Sequence, residues 1–194
     1  MNPSEEKILQ AVESLSDEIV GFTCRLVSQP STLGNEASVL EVMENELRGL
    51  GYPPQRIPID PDALAGHPGF APVPWSYEGR YNLAAVRPGD GEGGQSALFN
   101  GHLDVVSPEP LSRWERDPYD AVVSGGWIYG RGAGDMKSGV AAMTYALKAV
   151  ETAGFGLNAP VTLEAVIEEE CTGNGALACL AAGYDADAVL IPEP

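Results

Sequence analysis

From Ser96 to Glu193 the chain alternates short apolar runs with helix-spaced segments, and ionisable side chains stand where runs end. Ser96–Asn100 reads as one buried strand. Val161–Ile167 reads as a second, interrupted only by Glu164, and Ala188–Ile191 as a third. Between them, Val140, Met143, Leu147 and Val150 fall at helical spacing within Met136–Ala153, and Asn174–Ala182 forms a small Ala-rich helix. Such alternation favours an α/β sheet with helices on its faces. In open sheets of this class, ligands collect beyond the carboxyl ends of the strands. Four polar clusters fall at such ends: His102 with Asp104, Asp135, Glu168-Glu169-Glu170, and Glu193.

The first half of the chain is more varied. Ile8, Leu9, Val12, Leu15, Ile19, Phe22 and Leu26 recur at helical spacing, so Ser4–Ser28 reads as one long amphipathic helix, stopped by Pro30. Asn35 is placed to cap a second helix that runs to Leu50. Ile57 and Ile59 suggest a short strand, and Pro61–Gly79, dense in Pro, Gly and aromatics, an ordered loop. Asn82–Val86 is a further strand. With the Gly-rich turn Arg87–Gly94 and the strand from Ser96, it suggests a hairpin with a long loop. Trp127–Tyr129 is a short strand that runs into Gly130-Arg131-Gly132-Ala133-Gly134-Asp135.

Charge narrows the partners. Eleven Lys and Arg stand against 28 Asp and Glu among 194 residues, a net charge of -17. Nucleic acid and anionic membrane surfaces are poor partners for such a chain. Cys24, Cys171 and Cys179 make no disulfide framework. The N-terminus lacks the basic-then-apolar order of a signal peptide. No apolar run approaches the roughly 20 residues of a membrane span. These features suit a soluble, cytoplasmic protein.

The clusters also make chemical sense together. His102 and Asp104 are two residues apart, so an extended backbone points both to one side. The imidazole can bind a metal while the carboxylate supports it. Asp135 precedes a helix and reads equally well as its N-cap. A phosphate-binding turn from Gly130 would need glycine where Asp135 stands, and a carboxylate there repels phosphate. Glu168-Glu169-Glu170 would ordinarily be a solvated turn. At the end of a buried strand, however, three like charges are costly unless cations lie nearby. One such acid can bind metal while its neighbour serves as general base. Glu193, held between Pro192 and Pro194, reads either as a ligand or as part of a loose tail. One histidine with several carboxylates suits a pair of divalent ions, Zn²⁺ first, with Co²⁺ or Mn²⁺ as alternatives. His67 lies in the Pro/Gly loop and stays outside this set. Cys171, with no histidine near it in sequence, is taken as packing.

Four stretches carry a resemblance: Gly101–Val106 (GHLDVV), Gly130–Gly139 (GRGAGDMKSG), Glu168–Ala176 (EEECTGNGA) and Ile191–Pro194 (IPEP). In order and spacing they resemble the M20 metallopeptidase family, which includes acetylornithine deacetylase and succinyl-diaminopimelate desuccinylase. The resemblance implies a three-layer α/β/α, zinc-aminopeptidase-like catalytic domain with a mixed sheet, of which residues 1–194 form the N-terminal part. It implies that His102 ligates one zinc with Asp104 in support, and that Asp135 bridges two zincs. It further implies Glu169 as general base, Glu170 as a ligand beside it and Glu193 as a ligand of the other zinc. The implied activity is hydrolysis of the amide bond of N-acyl amino acids or related small amides. Family members are expected to be about twice as long. They insert a lid or dimerisation domain, which would make the full-length protein a homodimer, and bring a final histidine ligand from a later segment. The isolated chain is then expected to be inactive. The competing reading is a non-catalytic binding module that keeps an incomplete metal site.

Overall fold

A computed structural model describes residues 2–194. Among the described residues, seven strands and six α-helices follow in the order α1 (Pro3–Ser14), α2 (Ser16–Val27), α3 (Ala37–Gly49), β1 (Gln55–Pro58), α4 (Pro61–Leu64), β2 (Tyr81–Arg87), β3 (Ala97–His102), β4 (Val122–Ser124), β5 (Trp127–Tyr129), α5 (Ser138–Thr152), β6 (Val161–Val166), α6 (Asn174–Ala181) and β7 (Ala188–Leu190). Five strands form one mixed sheet in the order β1-β2-β6-β3-β7, and β4 pairs with β5 in a separate hairpin. β3 runs parallel to both of its neighbours, β6 and β7, while β2 runs antiparallel to β6 and to β1. This is the expected mixed α/β sheet.

Alternation along the strands sorts the two faces. Leu83, Ala85, Leu163 and Ala165 enter the main core, where Phe22, Leu26, Leu40, Met43, Val140 and Leu147 of α2, α3 and α5 cover them. On the opposite face, Ile57, Ala84 and Val166 meet Cys179 of the short helix α6. Glu164 also lies within the sheet at 3% exposure; its Oε2 accepts from Asn100 Nδ2 at 2.7 Å, and burial raises its pKa. The outer strand β7 is barely covered, and Val189, Leu190 and Ile191 are exposed.

The helix expected over Ser4–Ser28 is two helices broken at Leu15, whose backbone leaves helical values (φ -96°, ψ 3°). The Ser14 hydroxyl donates to the Ala11 carbonyl at 2.7 Å, a local bond that competes with the helical ladder. The N-cap is Asn2, which forms a capping box with Glu5. Asn35 does not cap α3. Its amide donates to the Pro30 carbonyl, and the cap position belongs to Glu36, which gives no side-chain cap. The loop from Pro61 contains the one-turn helix α4, capped by Asp60.

The expected hairpin of β2 with β3 does not form, because β6 lies between them. The Gly-rich turn folds instead onto the segment that enters β6. Asp90 N donates to the Leu157 carbonyl at 2.9 Å, and Gly89 and Gly91 leave no room for a Cβ against Ala159 and Asn158. A long-range strand insertion outcompetes the local turn.

A tight glycine contact brings α6 onto the sheet face. A Cβ at Gly175 would run into the carbonyl of Ile167, just past β6. Gly175→Ala should therefore destabilise the fold by about 1–3 kcal/mol through overpacking, read as a lower midpoint in urea unfolding. An unchanged midpoint would mean that α6 can shift freely.

Candidate metal centre

β3 ends at His102, and the chain beyond it stays pinned. Leu103 N donates to the Val166 carbonyl at 2.9 Å, Val105 N to the Ser31 carbonyl at 3.0 Å, and Ser31 Oγ to the Leu103 carbonyl at 2.7 Å. His102 is thus 1% exposed. Its Nδ1 lies 2.9 Å from the carbonyl oxygen of Asp104, which can only accept. Nδ1 therefore carries the proton, and Nε2 presents the lone pair when the ring is neutral. Facing Nε2 are Asp135 Oδ1 at 3.0 Å, Glu193 Oε1 at 3.7 Å and Glu169 Oε2 at 3.8 Å.

The Asp104 side chain does something other than the sequence suggests. Its Oδ1 is 3.6 Å from Nδ1, farther than its own carbonyl. The carboxylate instead accepts the backbone amides of Glu169 at 3.3 Å and Glu170 at 3.1 Å. One residue orients the ring through its main chain and the acidic turn through its side chain.

Asp135 is not a helix cap. It lies in a π-type turn, Ala133–Lys137, with non-helical backbone (φ -114°, ψ 104°), and α5 begins only at Ser138. Nor does it follow a strand of the main sheet: the β4–β5 hairpin delivers it, and the turn carries it back towards β3. Two neighbours fix this turn. Lys137, 0% exposed, donates from Nζ to the Gln29 carbonyl at 2.9 Å. Burial lowers its pKa to about 7, against the opposing charge of Asp104. Gly139, in the first turn of α5, abuts the Pro192 carbonyl so closely that a Cβ would clash, which holds the segment bearing Glu193 against the helix.

Ligand-capable atoms gather in two overlapping groups, each within 4.8 Å: His102, Asp135 and Glu170, and His102, Glu169 and Glu193. Burial raises the Glu169 pKa. The His102 charge opposes this, and Glu193, Asp104 and Glu170 reinforce it. Burial and then Asp135 raise that of Glu170. Among the described residues no Lys or Arg pairs with Asp135, Glu169, Glu170 or Glu193, so a divalent ion fits the charge these donors present. His67 lies apart on the Pro/Gly loop, exposed, with Nδ1 accepting from Gly69 N. Cys171 is exposed rather than packed.

Several residues that shape the centre escaped the sequence reading. Glu168 is buried and points away from His102, into a network with Trp75, Tyr77 and Arg80. The aromatic-rich loop Pro61–Gly79 was the available hint, since it supplies two of these partners.

Comparison with known proteins fits this geometry. Residues 98–194, half of the chain, match the family described as Peptidase family M20/M25/M40. The chain belongs to this family. A Bacillus subtilis N-formyl-4-amino-5-aminomethyl-2-methylpyrimidine deformylase is 34% identical over 127 residues, which cover 64% of this chain and 30% of the relative. A Delftia acidovorans succinyl-diaminopimelate desuccinylase is 36% identical over 127 residues, with 66% and 29% covered. The chain thus spans about 30% of the length of the curated relatives it matches. The fold superposes on an M20 family metallo-carboxypeptidase from Sulfolobus solfataricus with TM-score 0.71 at 20% identity, covering 90% of this chain and 37% of that one. For human carnosine dipeptidase 1 the TM-score is 0.70 at 24% identity, covering 96% and 40%. The chain is thus a hydrolase-family member with the fold of part of an M20 catalytic domain.

Without a bound ion, His102 has its pKa raised to about 9. Burial works against its charged form, but hydrogen bonds and charge from Asp104, and then Asp135, outweigh it. A cation taken up at Nε2 must displace this proton. Zn²⁺ affinity should therefore rise by about tenfold per pH unit below the His102 pKa and level off above it. Calorimetric titration in buffers of different ionisation enthalpy reads the proton released. Affinity that stays flat across neutral pH would remove His102 from the ligand set.

Proposed function

We propose that this chain supplies the metal-binding half of an M20-type hydrolase that cleaves the amide bond of an N-acyl amino acid or a related small amide. One observation carries the reading. A buried imidazole turns one nitrogen towards Asp135, Glu193 and Glu169, and among the described residues no Lys or Arg pairs with those acids. One nitrogen and several carboxylate oxygens suit Zn²⁺, with Co²⁺ and Mn²⁺ as alternatives. The deformylase and desuccinylase names both describe removal of an acyl group, and the dipeptidase name describes scission of a peptide amide. A small-molecule substrate, a cytoplasmic setting, a homodimeric full-length protein and residues 1–194 as the N-terminal part of one catalytic domain belong to the same reading.

Distances suggest a division of labour. Glu193 and Asp135 approach the same nitrogen of His102. We therefore assign Glu193 to the ion that His102 would hold, rather than to the other one. Asp135 and Glu170 would hold the second ion, with Asp135 serving both. When bound, such ions lower the pKa of water and polarise a carbonyl oxygen. Glu169 is the proton carrier. Its side chain is about half exposed, which leaves it free to swing, and its raised pKa suits a group that must hold a proton between steps. Glu169 accepts a proton from the attacking water as the new C–O bond forms. It then delivers that proton to the amide nitrogen as the C–N bond breaks, giving a carboxylate and a free amine. Asp104 takes no proton. It keeps the ring and the Glu169-Glu170 turn in register through its carbonyl and its carboxylate.

The test is Glu169→Gln in the intact protein, assayed with Zn²⁺ on N-formyl, N-acetyl and N-succinyl amines. Metal content should stay at the parent level while kcat falls by about 100-fold or more. Near-normal turnover in this variant would overturn the assignment of the base.

A further inference from the structure

Three acids follow β6, and only the last two turn towards His102. Glu168 is 0% exposed, and each of its carboxylate oxygens has two partners. Oε1 accepts from Trp75 Nε1 at 3.0 Å and pairs with Arg80 Nη1 at 2.7 Å. Oε2 accepts from the Tyr77 hydroxyl at 2.7 Å and the Thr172 hydroxyl at 2.9 Å. Its carbonyl takes the amides of Thr172 at 2.9 Å and Gly173 at 2.8 Å. The network reaches further back. Arg80 also pairs with Glu36, and Asn174 donates to the Tyr77 hydroxyl at 2.9 Å and to the Ala71 carbonyl at 2.8 Å.

The backbone at this point is unusual. Glu168 has φ +73°, the left-handed region in which side chains other than glycine are disfavoured. A strained conformation persists only where its surroundings over-determine it. Here they do so through the side chain that glycine lacks. The left-handed turn reverses the chain after Ile167, and the next two amides then meet the Asp104 carboxylate. The Glu169-Glu170 pair is thus gripped from both sides, by Asp104 in front and by the buried Glu168 behind.

We propose that Glu168 is a positioning residue, which anchors the acidic turn to the 71–80 segment and so sets the direction of Glu169 and Glu170. The inference rests on the role given to those two acids above. Its functional content is that the Pro/Gly-rich loop, with Trp75, Tyr77 and Arg80, is a strut of the metal centre rather than a surface excursion.

The positive φ gives a discriminating experiment. Glu168→Gly suits the backbone but removes the anchor. Glu168→Gln keeps an acceptor for Trp75 and Arg80 and offers its amide to the Tyr77 and Thr172 oxygens. In the intact protein, Glu168→Gly should weaken Co²⁺ binding by about 10–100-fold and lower kcat with little change in KM, and Glu168→Gln should recover most of both. Co²⁺ affinity and visible absorption in Glu168→Gly equal to the parent's would overturn the proposal, because the turn would then need no anchor. If Glu168→Gly loses cooperative unfolding, Trp75→Phe and Tyr77→Phe replace it. Each removes one donor and should lower Co²⁺ affinity, and parent-like affinity in both would again overturn the proposal. Failure of the underlying reading looks different: the parent itself would bind no Co²⁺.

Discussion

Strand β3 has a parallel neighbour on each side, and that pairing decides where the acids of the centre meet. A parallel neighbour can be reached only by a crossover, so α5 carries the chain from β3 to β6 and α6 carries it from β6 to β7. α5 packs on the face shared with α1 and α2, and α6 on the other. All three strands therefore end at one edge of the sheet. His102, the Glu168-Glu169-Glu170 turn and Glu193 are the residues at or just past those ends. Asp135 arrives differently, in the turn that opens α5. The centre is thus a product of strand direction before it is a product of side-chain chemistry.

Charge is handled in layers. The acids facing His102 have no Lys or Arg partner among the described residues, whereas the acids one step back do. Arg80 lies between Glu36 and Glu168, and Lys137 is buried at the end of the turn that bears Asp135. Placing Arg80 behind the front row, and Lys137 where burial weakens its charge, leaves the front row's negative potential intact. Asp135, Glu169, Glu170 and Glu193 thus present a local negative field suited to divalent cations.

Much of this was legible in the sequence, for a definite reason. Strand ends are marked by a switch from apolar to ionisable residues, so His102, the Glu168-Glu169-Glu170 run and Glu193 could be grouped from the sequence alone. What was not legible depended on distant partners or on backbone detail. The run Glu168-Glu169-Glu170 is three identical letters. Which of them turns inward is decided by a left-handed backbone angle and by donors from Trp75 and Tyr77, more than ninety positions earlier. The supposed β2–β3 hairpin had a plausible Gly-rich turn, but nothing local announces that β6 will come between them. Asp104 offered its carboxylate as the obvious support for His102, and the shorter contact goes to its carbonyl.

The wiring of the centre also fixes when it can exist. Its contacts close loops of 33 residues from His102 to Asp135, 65 from Asp104 to Glu169 and 93 from Trp75 to Glu168. Each loop must be closed against chain entropy before its contact returns anything. The centre is complete only once β3, β6 and the 71–80 segment have found one another. Forms in which these long-range contacts have not closed therefore lack the site, which depends on distant pairing rather than on local helix formation.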